Sequence, residues 1–530
     1  MTGSTTSSPS APARDRPPRA RRPISLSTWL VLLTLAVAIL PRLWPLGGGV
    51  HDYDEGVYWQ SLRAMAEGQP LFSAVFSSQP PFFLLMLYPL YLLLGQSLVA
   101  ARLAVLLYSL VGLTAVYVIG RALGGRWIGL AALVLLATDP RYLRESYTLQ
   151  AEVPALALAL ASVALALLAA RADGARRLGL AALAGLVLAL GCGAKLFDAV
   201  ALVPIGLALL APVGPALVDN QGYPRWPGTA PVLAALRQSL PILAASAGGL
   251  VVGAAIVLLP FVGQWAAFYD QAVTFHLVAG RVLDAGLDVN VQLLAGAQSE
   301  LPLELLGALA VLCGLLRRHW VVLLPALWTL ASLVLLLRQQ PLFPHHLTLL
   351  VPPLVLCVAV ALPDLFAVAV RVLAPAPHTE TSSALAPRLL VWAMLALVVV
   401  WGIFAGLVQL PAAAAVPVSE TRAAQALAAV TQPGDLVVAD DQFIVGLAGR
   451  DVPPQLVDTS EVRIASGYLT ITQLELAVRA PRVTAVLFYS GRFNTVPGFR
   501  EWMAAHYTLV GTFGGDTALY VKVPHPIAPV

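Results

Sequence analysis

Long apolar runs separated by short loops constrain the fold of this chain more than any other feature of its sequence. Of its 530 residues, 58% are hydrophobic and 11% are charged, and the mean hydropathy is +0.80. A soluble domain has about 45–50% apolar and about 25% charged residues, so the chain lies outside that class. Since a helix satisfies its own backbone hydrogen bonds in lipid, the runs predict an all-α polytopic membrane bundle.

Basic loops predict how this bundle crosses the membrane, because short loops rich in Lys and Arg stay cytoplasmic. Residues 1–23 are rich in Ser, Pro and Arg and are expected to form a disordered cytoplasmic tail. With this tail and four basic loops inside, residues 24–410 are expected to form about eleven transmembrane helices. The expected spans are 28–46, 98–120, 127–138, 153–170, 178–194, 196–212, 239–261, 301–316, 320–337, 347–370 and 389–410.

The remaining apolar run, Pro81 to Gly95, favours an interfacial or re-entrant helix, because it is short and contains Pro89. The resulting topology places the polar residues that flank the spans on one face of the membrane, where a random distribution would divide them between the two faces. This predicts an outward-facing catalytic or binding cavity rather than solvated loops. The residues concerned are Asp52, Asp54, Glu55, Gln79, Asp139, Arg144, Glu145, Glu152, Lys195, Arg338, His345 and His346.

After the last span the composition changes to that of a soluble domain. In residues 411–530, strand-like runs at 436–439, 485–489 and 519–521 alternate with helical runs at 421–430, 472–479 and 499–506. This alternation predicts a small C-terminal α/β domain, which the topology makes extracytoplasmic in a multi-pass protein of the cell membrane. Asp440 and Asp441 follow the first strand and suggest either a ligand site or, more ordinarily, a turn or helix cap. Residues 263–300 suggest an interfacial amphipathic helix or a lid.

The stretch from His51 to Gln60 is the strongest candidate for function. It places three carboxylates, Asp52, Asp54 and Glu55, directly after the first span. An acidic cluster at the mouth of an apolar bundle suits a general base or a cation site, although a solvated loop would also carry such charges. Because helical neighbours differ in direction by about 100°, one of Asp54 and Glu55 is expected to be a base and the other a positioning group.

Four further elements carry groups that suit an oxygen-rich or phosphorylated ligand. The Gln79 amide precedes a Pro-Pro helix start, and Glu152 begins a span, where a carboxylate also suits a helix N-terminus. Lys195 lies beside two glycines at the end of an apolar run, where its ammonium suits phosphate or could pair with Asp198. The last element includes Arg338, His345 and His346, and its His pair suits ligand contact or interfacial packing.

Composition also excludes several classes of function. The three cysteines lie inside apolar runs without metal-ligand spacing, so we expect no disulfide framework and no zinc site. The net charge of +4 comes from basic residues spread through short loops, which membrane orientation explains, so nucleic acid is not an expected partner. We expect no metal and no cofactor.

Taken in order, these elements resemble the polyprenyl-phosphate-dependent glycosyltransferases of the GT-C class, nearest the protein mannosyltransferase and aminoarabinose transferase branch. The resemblance covers residues 28–410. It rests on the Asp54-Glu55 pair, the Pro80-Pro81 helix start, Arg102-Leu103, Glu152-Val153-Pro154, the glycine-flanked Lys195 and the late basic, aromatic and Pro-rich segment. Gln79 stands where the family often has Lys, and Val57-Tyr58 where it often has Arg-Tyr.

The resemblance implies a fold, a reaction and roles for these residues. A sugar would pass from a polyprenyl-phosphate donor to the hydroxyl of a lipid, glycan or protein, with inversion, at the outer face. Asp54 would be the base, Glu55 and Glu152 would orient the acceptor or sugar, and Lys195 would bind the phosphate. Substrate contacts would also involve Tyr58, Gln79, Arg338, His345 and His346. The alternatives are a transporter or lipid flippase that uses the same acids, or a structural or signalling membrane protein.

Overall fold

A computed structural model of the chain describes residues 25–49, 52–210, 229–284, 286–296, 301–373 and 385–522. The expected cytoplasmic tail, residues 1–23, lies outside these ranges. The described residues are mostly helical, and the strands are confined to the C-terminal part of the chain.

The helices before the C-terminal domain are α1 Leu26–Leu43, α2 Tyr53–Ala66, α3 Phe82–Leu93, α4 Leu98–Gly124, α5 Arg126–Thr138, α6 Pro140–Glu145, α7 Glu152–Ala170, α8 Gly174–Ala194, α9 Leu202–Leu209, α10 Thr229–Leu258, α11 Trp265–Tyr269, α12 Phe275–Val282, α13 Leu287–Ala295, α14 Leu301–Leu316, α15 Leu323–Arg338, α16 Val351–Leu373 and α17 Leu385–Ala414. The C-terminal elements are α18 Val418–Val430, β1 Leu436–Ala439, α19 Gln442–Leu447, α20 Glu461–Ala465, α21 Ile471–Arg479, β2 Val483–Phe488, α22 Phe499–His506, β3 Thr508–Gly511 and β4 Ala518–Val521.

In the described part of the chain, eight helical segments are long and apolar enough to cross a membrane. Four shorter apolar helices accompany them, at Phe82–Leu93, Arg126–Thr138, Leu196–Leu209 and Leu301–Leu316. The last three of these coincide with expected spans, and Phe82–Leu93 coincides with the expected interfacial or re-entrant helix. The structure thus has the expected multi-pass helical architecture, whereas the total of about eleven spans stays a prediction.

Close helix packing brings the ends of several apolar helices together. Helix α8 runs along both α7 and α10, and a side chain at Gly249 of α10 would begin 1.8 Å from the carbonyl oxygen of Ala182. Small residues allow such backbone approach in lipid, where burial of apolar surface does not drive helix association. Because α7 begins at Glu152 and the antiparallel α8 ends at Ala194, Glu152 and Lys195 lie at the same end of the bundle.

The C-terminal part forms a small α/β domain around a four-stranded sheet of order β1-β2-β4-β3. Strand β1 pairs with β2 in parallel, and β4 is antiparallel to both β2 and β3. Asp441 caps α19 through the N–H groups of Phe443 and Ile444, and the buried Asp440 accepts hydrogen bonds from the N–H groups of residues 489, 490 and 493. The two acids therefore serve as a helix cap and a turn anchor.

This domain packs directly on helix α2 through two glycines. A side chain at Gly56 of α2 would begin 2.5 Å from the backbone nitrogen of Phe443, and one at Gly446 of α19 would begin 2.5 Å from the Trp59 ring. Trp59 also packs edge to face against Phe443, with ring centres 5.8 Å apart. No side chain larger than hydrogen fits at either glycine without displacement, so the two helices touch through their backbones.

Polar contacts reinforce the same interface. The buried Gln60 amide donates to the carbonyl oxygens of Gln442 and Arg450 and accepts from the N–H of Val452. One turn further along α2, Arg63 forms an ion pair with Asp451 at 2.5 Å. Since buried polar groups hold their geometry best when every hydrogen bond is formed, this network fixes the orientation of α2 relative to the domain.

Within residues 263–300, for which the sequence suggested either an interfacial amphipathic helix or a lid, residues 265–282 form a helix that contacts both the loop before α3 and the C-terminal domain. Gln271 donates to the carbonyl oxygen of Phe72, and His276 donates to that of Ser78 at 2.6 Å. On the other side, the Tyr468 hydroxyl donates to Asp270. The helix therefore ties the loop before α3 to the C-terminal domain.

Candidate active site

The candidate site is built around α2, whose helical geometry directs neighbouring side chains to different surroundings. Successive residues of an α-helix differ in direction by about 100°. Gly56, Trp59, Gln60 and Arg63 therefore share one face, which meets the C-terminal domain. The carboxylates of Asp54 and Glu55 point away from that face and away from each other.

Glu55 points into the bundle and lies in a fully buried ion pair with Arg102 of α4. The pair is bidentate, with nitrogen–oxygen distances of 2.9 and 2.8 Å, and the N–H of Leu149 also donates to Glu55 at 2.6 Å. Arg102 further donates to the carbonyl oxygens of residues 45, 46, 48 and 49. The orienting of a substrate by Glu55, which the sequence suggested, would require breaking this network, so the geometry favours a structural role.

Asp54 is in a different situation. It is half-buried at the first turn of α2, and among the described residues its carboxylate accepts no hydrogen bond. Burial and the neighbouring carboxylate of Asp52 raise the pKa of Asp54 to about 7. A carboxylate with this pKa can take up a proton near neutral pH, which is the property that a general base needs.

Asp52 connects the start of α2 to the late segment of the bundle. One of its oxygens accepts from the N–H of Asp54 at 3.1 Å and caps the helix, and the other accepts from Nδ1 of His345 at 3.2 Å. Burial opposes ionisation of Asp52, but the hydrogen bond and charge of His345, with help from Arg144, hold its pKa below the ordinary value. Asp52 is therefore the ionised neighbour that disfavours ionisation of Asp54.

Glu152 and Lys195 form the other end of the cluster. One carboxylate oxygen of Glu152 accepts from the ammonium of Lys195, and the same oxygen lies 3.6 Å from Nε2 of His345. The second oxygen of Glu152 is buried and has no hydrogen-bond partner in the described structure. Asp198, the other acid that the sequence offered to Lys195, does not form this pair. A chain of alternating charges thus runs from Asp52 through His345 and Glu152 to Lys195.

The other candidate residues lie at different distances from this chain. Tyr58 is buried one turn after Asp54 and packs on Phe83, and burial together with the charges of Asp54 and Glu152 raises its pKa well above the ordinary value, so it stays neutral. His346 packs against Phe197, beside Lys195. Gln79 is half-buried and Arg338 is exposed, and the side chain of neither forms a hydrogen bond or ion pair with the described residues of the chain.

Comparison with known proteins supports one class of function for this site. Residues 78–227 match the family described as dolichyl-phosphate-mannose-protein mannosyltransferase. No curated protein matches the chain by sequence.

The fold resembles that of ArnT from Cupriavidus metallidurans bound to undecaprenyl phosphate, with a TM-score of 0.64 and 16% identity over 96% of this chain and 100% of that chain. It also resembles the Archaeoglobus fulgidus oligosaccharyltransferase AglB in complex with an inhibitory peptide and a dolichol-phosphate, with a TM-score of 0.52 and 13% identity over 94% of this chain and 75% of that chain. At these identities the structural matches show a shared fold, and the family match supplies the activity. Together these matches indicate a membrane glycosyltransferase with a GT-C fold.

None of these matches supports the transporter or flippase alternative. In this glycosyltransferase, the residues that carried the resemblance lie where the fold brings the ends of α2, α4, α7, α8 and α16 together. Sequence reasoning did not find the ion pair between Glu55 and Arg102 or the bridge from Asp52 to His345. A buried Arg in an apolar helix, such as Arg102, was the available signal for the first. Nothing in the sequence indicated the second, because its partners lie 293 positions apart.

One set of side chains in the glycosyltransferase has the composition of a metal site, although the sequence led us to expect no metal. Glu152, His345 and His346 offer ligand atoms within 4.8 Å of one another, and all three are buried. Two contacts compete with a metal ion: the ammonium of Lys195 lies on Glu152, and Nδ1 of His346 accepts from the N–H of Phe343 at 3.3 Å. Lys195 therefore supplies a positive charge where a metal ion would lie.

Proposed function

We propose that this glycosyltransferase moves a sugar from a polyprenyl-phosphate-linked donor to an acceptor hydroxyl at the outer face of the membrane, with inversion. Asp54 is the base, and Lys195 binds the donor phosphate. ArnT and AglB, which share the fold, are described with undecaprenyl phosphate and dolichol-phosphate bound. These lipids support the donor class, and the acceptor is a lipid, a glycan or a protein.

The reaction requires one proton transfer and one displacement. Asp54 takes the proton of the acceptor hydroxyl while the hydroxyl oxygen attacks the anomeric carbon of the sugar. The bond between that carbon and the phosphate oxygen breaks, and its electron pair stays on the phosphate, which gains a negative charge. Lys195 compensates for this charge. Because a single displacement from the opposite face changes the configuration of the anomeric carbon, the product is inverted.

This proposal rests on the difference in pairing between Asp54 and Lys195, the charged groups at the two ends of the cluster. At one end the carboxylate of Asp54 has no hydrogen-bond partner among the described residues and has a pKa of about 7. At the other end Lys195 presents a buried ammonium whose one hydrogen-bonded partner in the described structure is Glu152. A base and a cation at two ends of one cluster are what an acceptor hydroxyl and a phosphate leaving group need.

The proposed base is tested by sugar transfer from a polyprenyl-phosphate donor in liposomes. Asp54→Asn keeps the size of the side chain but cannot accept a proton, and loss of a positioned base typically costs about 10² to 10⁴ in rate. We expect this loss without a fall of the unfolding temperature. If Asp54→Asn retains most of its activity while Glu152→Gln loses it, the base is Glu152 and the assignment is reversed.

The sidedness of the reaction is tested separately. We expect residues 411–530 on the outer face, on the same side as the cluster, and residues 1–23 in the cytoplasm. Proteolysis of intact cells or spheroplasts should cut the C-terminal domain and spare the N-terminal tail. Cleavage of the C-terminal domain only after lysis would place the site on the cytoplasmic face.

A further inference from the structure

The ammonium of Lys195 already carries an anionic partner, the carboxylate of Glu152. Lys195 is 7% exposed and Glu152 is 6% exposed, so both charges are largely withdrawn from water. A buried charge without a partner is costly, and removing one member of a buried pair typically costs about 3–5 kcal/mol. A donor phosphate can therefore bind Lys195 only if the carboxylate already on it has another partner available.

We propose that Glu152 holds the place of the donor phosphate on Lys195, and that His345 receives Glu152 when the phosphate arrives. This inference rests on the proposed function of the site and assigns Glu152 a role in donor exchange. The two anions would occupy the ammonium in turn: the carboxylate in the empty enzyme and the phosphate in the loaded one.

The geometry provides the second partner that this exchange requires. Nε2 of His345 lies 3.6 Å from the same Glu152 oxygen that accepts from Lys195, so a small movement of the carboxylate completes a new hydrogen bond. His345 is itself held by Asp52 through Nδ1. The second oxygen of Glu152 is buried and has no hydrogen-bond partner among the described residues, so the present position leaves part of its hydrogen-bonding capacity unused. The carboxylate therefore has a second partner within reach, and among the described residues its side chain forms no hydrogen bond to another residue besides the one from Lys195.

The exchange also connects donor binding to the base. Asp52 accepts from His345 with one oxygen and from the N–H of Asp54 with the other. A stronger contact between His345 and Glu152 would alter the hydrogen bond to Asp52, which caps the helix that carries Asp54. His345 is thus a positioning residue, and donor loading reaches Asp54 through two hydrogen bonds.

The same exchange favours release of the lipid product. Transfer of the sugar converts a phosphodiester into a phosphomonoester, which carries more negative charge and holds Lys195 more strongly. The return of Glu152 to Lys195 offsets that gain. An enzyme that lacks this carboxylate should bind the product tightly and release it slowly, lowering both KM for the donor and kcat.

The test measures binding of undecaprenyl phosphate without sugar to the full chain in nanodiscs, with undecaprenol as the uncharged control lipid. Glu152→Gln keeps the side-chain size and removes the competing charge. We expect it to bind undecaprenyl phosphate at least about fivefold more tightly, the lower range of typical coupling between sites, and to bind undecaprenol as the wild type does. Unchanged or weaker binding of undecaprenyl phosphate by a folded Glu152→Gln protein overturns the proposal.

Two further variants guard against a general effect of charge or folding. His345→Asn removes the partner that receives Glu152 and should weaken undecaprenyl phosphate binding, the opposite direction from Glu152→Gln. Asp198→Asn removes a buried carboxyl three residues from Lys195 without touching the contact with Glu152, and should leave binding unchanged. An Asp198→Asn protein that binds as tightly as Glu152→Gln would overturn the direct exchange, as would unaltered binding by His345→Asn.

Failure of this inference is distinguishable from failure of the proposed function. If the wild type binds undecaprenyl phosphate no better than undecaprenol, or if Lys195→Met leaves its affinity unchanged, the phosphate site itself is wrong. If the wild type discriminates through Lys195 but Glu152→Gln does not tighten binding, the phosphate site stands and Glu152 is not its place-holder.

Discussion

Two polar clusters that begin at adjacent residues of α2 differ in how fully their charges are paired. The cluster around Glu55 and Arg102 is closed: both carboxylate oxygens bind the guanidinium, which also donates to four carbonyl oxygens. The cluster of Asp54, Asp52, His345, Glu152 and Lys195 is open, because the carboxylate of Asp54 lacks a bound partner in the described structure and one oxygen of Glu152 is unpaired. Complete pairing suits a framework, whereas incomplete pairing leaves groups available for a substrate.

The largest effect is expected from breaking the closed cluster. Glu55→Gln leaves the Arg102 guanidinium buried without its counter-charge, which typically costs about 3–5 kcal/mol of unfolding free energy. We expect a marked fall of the unfolding temperature in detergent. The double variant Glu55→Gln/Arg102→Met should recover part of the loss, because it removes both charges. If Glu55→Gln lowers the unfolding temperature only slightly but greatly lowers the transfer rate, Glu55 belongs to the open cluster.

The open cluster is tested by pH. Since Asp54 must be ionised to act as the base and its pKa is about 7, the rate of transfer should fall about tenfold per pH unit below that value. The raised pKa has the opposite consequence for stability: ionising Asp54 destabilises the folded chain as pH rises from about 4 towards 7. The unfolding temperature of Asp54→Asn relative to wild type should therefore increase over this range. A relative stability that is independent of pH would show that Asp54 has an ordinary pKa.

A change at the contact between α2 and the C-terminal domain tests whether this contact holds the open cluster in position. Gly446→Val places a side chain against Trp59, because a β-carbon at this position would lie 2.5 Å from the nearest atom of the Trp59 ring. Overpacking of this kind typically lowers the free energy of unfolding by about 1–3 kcal/mol. Displacement of α2 should lower the transfer rate as well. Gly511→Ala in the same domain is the control, because a side chain there meets no atom within 4 Å. If Gly446→Val and Gly511→Ala change the transfer rate equally, the contact at Gly446 does not position α2.

The smallest effect is expected from removing divalent metal ions. Because Lys195 already supplies a cation on Glu152, the transfer rate should be unchanged after chelation. A rate that falls on chelation and returns with added Zn²⁺ or Mn²⁺ would instead make Glu152, His345 and His346 metal ligands.

Much of the fold could be predicted because it follows from local patterns. Apolar runs located the long helices, and the strand-like and helical runs of the C-terminal part located β1 and α22 at their observed bounds, Leu436–Ala439 and Phe499–His506. Strand β3 was missed because its residues are largely exposed and lack an alternating pattern. The short helix α19 was also missed, although Asp441 provided its cap.

The candidate site was predictable in its members more than in its pairings. Asp54, Glu152 and Lys195 were singled out because charges beside apolar runs are costly and conspicuous. Their partners are set by tertiary packing. The sequence suggested that Lys195 could pair with Asp198, three residues away, whereas in the structure it pairs with Glu152, 43 positions earlier. Sequence spacing favours near neighbours, whereas the antiparallel packing of α7 and α8 decides the observed contact.

The contacts of α2 also have a consequence for the order in which the protein is made. Arg63 and Asp451 are separated by 388 positions, so α2 is synthesised long before the domain that holds it. Chains are synthesised at about 5–20 residues per second and fold domain by domain from the N-terminus. During that interval the helix that carries the proposed base lacks one of its two supporting surfaces. A ribosome that stalls or terminates early would leave a membrane-inserted but inactive bundle, so sugar transfer would await completion of the whole polypeptide.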